Sequence, residues 1–117
     1  MAKAKAKQPE IEVTPQRTRE LLQSGDAVVV DVREPYEREA GHIEGSRHIE
    51  LERLSSEAAS LPKDQTIVFH CRLGARSAMA AQAFRASGFD AWSMAGGLVR
   101  WDAEGLPVDG GGEVAAH

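Results

Sequence analysis

The apolar positions of this chain fall into short runs, each bounded by residues that start or stop a helix. Ala27 to Asp31 is apolar at successive positions and ends on an acid. A strand that is apolar on both faces belongs inside a parallel sheet covered on two sides. Ile67, Val68 and Phe69 form a second run of this kind. Glu10 to Val13, Arg47 to Ile49 and Asp90 to Met94 read as three further strands. Between them lie helix signals. Thr14-Pro15 supplies an N-cap and a first-turn proline, and the helix it opens runs to about Gln23, where Ser24-Gly25-Asp26 stops it. Glu34-Pro35 opens a short helix to about Ala40, followed by a turn from Gly41 to Gly45. Leu51 to Leu61 carries one or two helical turns before Pro62. Ala78 to Ala86 is a run of strong helix formers ended by Gly88, and Gly96-Gly97 turns into a last helix from Leu98 to Glu104. Met79, Ala80, Ala83 and Phe84 recur at helical spacing and read as core, with Trp92 and Trp101 as packing residues.

Strands alternating with helices predict an α/β domain: a mostly parallel sheet of about five strands with helices on both faces. In such sheets ligands bind outside the carboxyl ends of the strands. Asp31 and Cys71 each end a strand, so both are expected on one rim. Asp31 and Arg33 are read as an ion pair that braces this rim. Glu37 is read as solvated helix surface and His42 as a structural histidine in its turn. His70, in extended chain beside Cys71, should project to the opposite face, which removes it as the general base of the cysteine.

A chain of 117 residues makes one domain. Residues 1–8 read as a disordered basic tail, 9–108 as the fold, and 109–117 as a flexible end containing Gly110 to Gly112. No apolar segment follows the lysine-rich start, so no secretory signal is expected there, and no stretch approaches the roughly 20 apolar residues of a spanning helix. A cytoplasmic, membrane-free monomer is expected. The net charge of −4 argues against general nucleic-acid binding. One cysteine excludes an internal disulfide and a second, resolving thiol. The four histidines and the cysteine have no metal-ligand spacing, so neither metal nor cofactor is expected.

That cysteine carries the chemistry. Cys71 ends a buried strand, and Arg76, Ser77 and a helix follow it. A helix start offers unpaired N–H groups and the positive end of its dipole. A cysteine beside arginines and such a terminus is expected to have a larger share as thiolate, the nucleophilic form. Arg72, Leu73, Gly74, Ala75, Arg76 and Ser77 therefore read as an anion-binding loop around Cys71. Gly74 supplies the positive φ that an inward-turned amide loop requires, and Ser77 is expected to cap the helix and donate toward the sulfur.

Cys71-Arg72-Leu73-Gly74-Ala75-Arg76-Ser77 resembles the active-site loop of the rhodanese sulfurtransferase family. Asp31-Val32-Arg33, Glu37 and Gly41-His42-Ile43-Glu44-Gly45 are similar to its upstream signature. Gly96-Gly97, Trp101 and Gly105-Leu106-Pro107-Val108 are similar to its C-terminal one. The resemblance implies a rhodanese-like domain in which Cys71 takes sulfane sulfur from thiosulfate or another persulfide and Arg76 helps bind the anion. With no second cysteine, the acceptor is external: cyanide, a small thiol or a protein of a sulfur relay. Related phosphatases separate cysteine and arginine by five residues. Here four separate Cys71 from Arg76, which favours sulfur transfer over a cysteine phosphatase or arsenate reductase.

Overall fold

The computed structural model describes residues 11–110. The basic tail expected at 1–8, Glu10 of the first expected strand, and positions 111–117 of the expected C-terminal tail lie outside the described residues. In chain order the elements are β1 (Glu12–Val13), α1 (Pro15–Ser24), β2 (Ala27–Asp31), α2 (Pro35–Ala40), β3 (Arg47–His48), α3 (Leu54–Glu57), β4 (Thr66–His70), α4 (Ala75–Ala86), β5 (Ala91–Met94) and α5 (Gly97–Ala103). The stretch from Leu51 to Ser60, expected as one or two turns, is a single α turn flanked by two 3-10 turns. The five strands form one sheet in the order β1-β5-β4-β2-β3, and every pairing is parallel.

Strand alternation divides the core. Val30, Ile67 and Phe69 pack on one face with Ala80, Ala81 and Phe84 of α4, and Cys71 belongs to this cluster. Ala27, Val29 and Val68 pack on the other face with Leu98 and Trp101 of α5. Each central strand is thus apolar on both sides, as its sequence requires. Phe84 anchors the first cluster, its ring 5.0 Å from Phe69 and 4.8 Å from Phe89.

The expectations for the long helix after the loop are corrected. α4 begins at Ala75 rather than Ala78, because Gly74 takes φ +115° as its N-cap and lets the helix close immediately behind the loop. Its buried stripe is Ser77, Ala80, Ala81 and Phe84, while Met79 is 59% exposed and Ala83 is exposed as well. At the C-terminal end, Asp109 exchanges both backbone bonds with His42, at 2.9 and 2.7 Å. Trp101 is buried and donates to Pro107 O, whereas Trp92 is half-buried beneath the Arg85 guanidinium.

Candidate active site

The register of β2 on β4 aligns Asp31 with His70, so Cys71 stands one residue beyond the sheet on the rim where Asp31 ends. Two carbonyls fix the loop that follows. Leu98 N–H donates to Cys71 O at 2.8 Å and Val99 N–H to Arg72 O at 3.1 Å, both from the first turn of α5. With these carbonyls turned toward α5, amides of the loop face the sulfur. Cys71 Sγ is buried and accepts from Gly74 N at 3.0 Å and from Ser77 N at 3.4 Å. Amides aimed at one point from a loop and a helix start stabilise negative charge there.

Ser77 is expected to cap α4, but Gly74 holds that position; Ser77 lies in the first turn and its hydroxyl has three neighbours. Ser77 Oγ lies 3.5 Å from Cys71 Sγ, 3.2 Å from Gly74 O and 2.8 Å from Ser93 Oγ. Ser93, fully buried in β5, had no role in the sequence reading. A small hydroxyl in an otherwise apolar strand is the signal that marks it.

The loop side chains diverge. Leu73 is 60% exposed at the mouth and Ala75 is exposed. Arg72 is half-buried. Arg76 is engaged within the protein and remains partly exposed. Its two terminal nitrogens bond both oxygens of Glu37 at 2.9 and 3.1 Å. Glu37, expected as solvated surface, is 1% exposed, because α2 turns it inward beneath the loop. Burial works against its ionisation, but the Arg76 bonds and the Glu34 N–H overcome it and hold the carboxyl below its ordinary range. The bonds from Glu37 in turn raise Arg76 above the usual guanidinium value.

Behind the loop, on the opposite face of the sheet, sits the expected ion pair. Arg33 Nε and Nη2 clasp the two oxygens of Asp31 at 2.8 Å each, and Nη2 reaches Gly41 O at 2.8 Å. Both residues are fully buried. Burial opposes ionisation of Asp31, yet the Arg33 fork holds it well below the carboxylate range. His70 shares this face. Its Nε2 is 4.0 Å from Asp31 Oδ2, and its Nδ1 lies 3.4 Å from Cys71 O rather than against the sulfur.

Burial pushes His70 below its ordinary range, although Asp31 opposes the shift. The unfolded chain therefore takes up a proton near pH 6.5 that the folded chain refuses. Stability is fully present above that pH and falls as the pH drops toward the lowered folded value, by up to about 1.4 kcal/mol per pH unit. Thermal melts at pH 7 and pH 5 should show a larger loss in the wild type than in His70→Asn. The other histidines are common to both proteins, so equal losses would contradict the assignment.

Fold and site together define a class: a small α/β domain built around one cysteine in an amide-lined loop at the carboxyl edge of a parallel sheet. The chain belongs to the rhodanese-like domain family, whose model matches residues 14–104. It is similar to the thiosulfate sulfurtransferase GlpE of Pseudomonas aeruginosa, with 38% identity over 90 residues, 76% of this chain and 81% of that protein. It is similar also to the probable adenylyltransferase/sulfurtransferase MoeZ of Mycobacterium tuberculosis, with 40% identity over 93 residues. That match covers 76% of this chain, which spans 24% of the mycobacterial protein's length. Among solved structures, the rhodanese-related protein of Thermoplasma volcanium has a TM-score of 0.78 at 30% identity, covering 84% of this chain and 96% of that one. Among the described residues, no helix is long and apolar enough to cross a membrane.

Proposed function

We propose that this chain is a sulfurtransferase that carries sulfane sulfur as a persulfide on Cys71. The observation that carries the reading is the buried Sγ with the amides of Gly74 and Ser77 directed at it. The similarity to GlpE supports thiosulfate as the donor. In the first half-reaction the Cys71 thiolate attacks the outer sulfur of thiosulfate. The sulfur–sulfur bond of the donor breaks, and sulfite leaves with the electron pair. The loop from Arg72 to Ser77 surrounds the resulting anionic persulfide. Its amides supply the hydrogen bonds, Arg72 and Arg76 supply positive charge, and Asp31 with Arg33 supports the rim. In the second half-reaction an external thiophile, cyanide or a thiol, attacks the terminal sulfur and restores the Cys71 thiolate. A cytoplasmic setting, where thiols are kept reduced, would supply such acceptors.

The similarity to MoeZ, together with the exposed Leu73 at the loop mouth, supports a second form of the same chemistry. In that form the acceptor is the cysteine of a partner protein, and thiosulfate is a poor donor. Intact-mass spectrometry after thiosulfate treatment is expected to show one added sulfur atom in the wild type and none in Cys71→Ser. Loading only from a small persulfide would favour the relay, and no loading from either would overturn the sulfurtransferase reading.

A further inference from the structure

The amides on Cys71 leave one polar group near the sulfur unexplained, the Ser93 hydroxyl. Ser93 pairs in register with Phe69, two residues before Cys71, and so faces the same side of the sheet as the cysteine. It is fully buried, and among the described residues its hydroxyl has one hydrogen-bond partner, Ser77 Oγ at 2.8 Å. Ser77 has further neighbours within reach, Gly74 O and Cys71 Sγ.

Counting hydrogens sets the direction of the Ser77–Ser93 bond. Each hydroxyl has one proton. If Ser77 donated to Ser93, the Ser93 proton would be left buried with no acceptor, and the Ser77 proton would be unable to serve either the carbonyl or the sulfur. If Ser93 donates, its own proton is satisfied and Ser77 keeps a proton to direct. While the sulfur is a thiol, its S–H bonds to Ser77 Oγ and Ser77 donates to Gly74 O. When the sulfur is anionic, its proton having passed to bulk water, the Ser77 O–H turns onto it.

We propose that Ser93 is a positioning residue that fixes the polarity of the Ser77 hydroxyl, so that Ser77 donates to Cys71 sulfur whenever that sulfur carries negative charge. A hydroxyl that accepts one hydrogen bond donates a stronger one, so Ser93 acts on the sulfur through Ser77 without touching it. The inference deepens the sulfurtransferase reading, since thiolate and persulfide are the two anionic states of that cycle. The charged groups around the sulfur are Arg72 of the loop, Arg76 of α4 with Glu37 of α2, and, behind the sheet, His70, Asp31 and Arg33. None of them bonds the Ser93 hydroxyl, whose partner is Ser77 Oγ.

One cysteine in the chain allows a direct test, the thiolate absorbance near 240 nm followed against pH, with Cys71→Ser as the blank. Ser93→Ala is expected to displace the thiolate step upward by about half a pH unit, the size of a weakened rather than a lost hydrogen bond. Ser93→Thr, which keeps the hydroxyl, should restore it. Ser77→Ala should displace it further, and Ser77→Ala/Ser93→Ala should match Ser77→Ala alone, because Ser93 acts only through Ser77. Should Ser93→Ala fail to fold, Ser93→Val against Ser93→Thr gives the same contrast. A titration of Ser93→Ala that coincides with the wild type overturns the inference, as does a double variant displaced beyond Ser77→Ala. The two readings fail separately. Absence of sulfur loading in the wild type removes the sulfurtransferase reading and leaves this titration interpretable. Normal loading with an undisplaced Ser93→Ala removes only the role of Ser93.

Discussion

Gly97→Ala is expected to lower the melting temperature by on the order of 10–20 °C and to abolish sulfur loading on Cys71. Gly97 opens α5 with φ +63°, a left-handed conformation that costs an alanine about 1–2 kcal/mol. Its surroundings add a larger penalty. A Cβ built there lies 2.3 Å from Arg72 O, 2.4 Å from Arg72 C and 2.6 Å from Leu73 N. These are backbone atoms of the Cys71 loop, and no rotamer change relieves them. The loop or α5 must move, and α5 is the element whose Leu98 and Val99 amides hold the loop carbonyls. Overpacking of this kind typically costs about 1–3 kcal/mol, which brings the total to about 2–5 kcal/mol. Gly25→Ala is the control. Gly25 also has positive φ, at +81°, but nothing lies within 4 Å of its Cβ position. It should lose only the conformational share and load sulfur normally. If the two variants melt and load alike, α5 does not hold the loop through this close approach.

Gly97 also illustrates what a sequence can convey. Gly96-Gly97 is recognisable as a turn, because glycine pairs interrupt periodic patterns. The reason for the second glycine, contact with a loop some 25 residues earlier in the chain, depends on long-range packing that local pattern does not carry. The central strands were legible because Ala27 to Val30 of β2 and Ile67 to Phe69 of β4 are apolar at successive positions, which suits a doubly covered parallel strand. The position of Cys71 on the rim followed from the same topology.

Helix faces were harder. α4 is alanine-rich, so its buried and exposed sides differ little in hydrophobicity, and the expected stripe of Met79, Ala80, Ala83 and Phe84 mixes the two. Its start is obscured in the sequence because Arg76 and Ser77 are polar and resemble loop residues, although Gly74 satisfies the conditions for the N-cap. The sequence alone points Glu37 to the surface, because glutamate is rarely buried without a partner. Its partner, Arg76, lies 39 residues away, and the expected anion-binding role of Arg76 concealed the pairing. Ser93 is silent in the sequence for a similar reason: a serine in a short strand gains significance only when the fold brings Ser77 to 2.8 Å.

Arg33→Met is expected to destabilise the domain by about 3–5 kcal/mol, the range for removing one partner of a buried ion pair. Asp31 would remain fully buried without the bonds from Arg33 Nε and Nη2, and Gly41 O would lose its bond from Nη2. Arg38 is the remaining cation near Asp31, at 3.4 Å, but it bonds Ser46 through both terminal nitrogens and cannot replace the fork. Arg33→Lys keeps the charge but not the paired geometry, so it should fall between wild type and Arg33→Met. The informative variant is Asp31→Leu/Arg33→Met. If the loss in Arg33→Met arises from an uncompensated charge, removing that charge should recover stability, and the double variant should melt well above the single one. If the double variant is no more stable than Arg33→Met, the pair contributes chiefly through the backbone bonds it makes, to Gly41 O and from Arg33 N to Asp31 Oδ1 at 3.0 Å. The two outcomes assign different roles to the same residues. In the first, the pair is an expensive but replaceable plug beneath the rim. In the second, it is the tie that joins the end of β2 to the turn after α2, and so holds Glu37 where it meets Arg76.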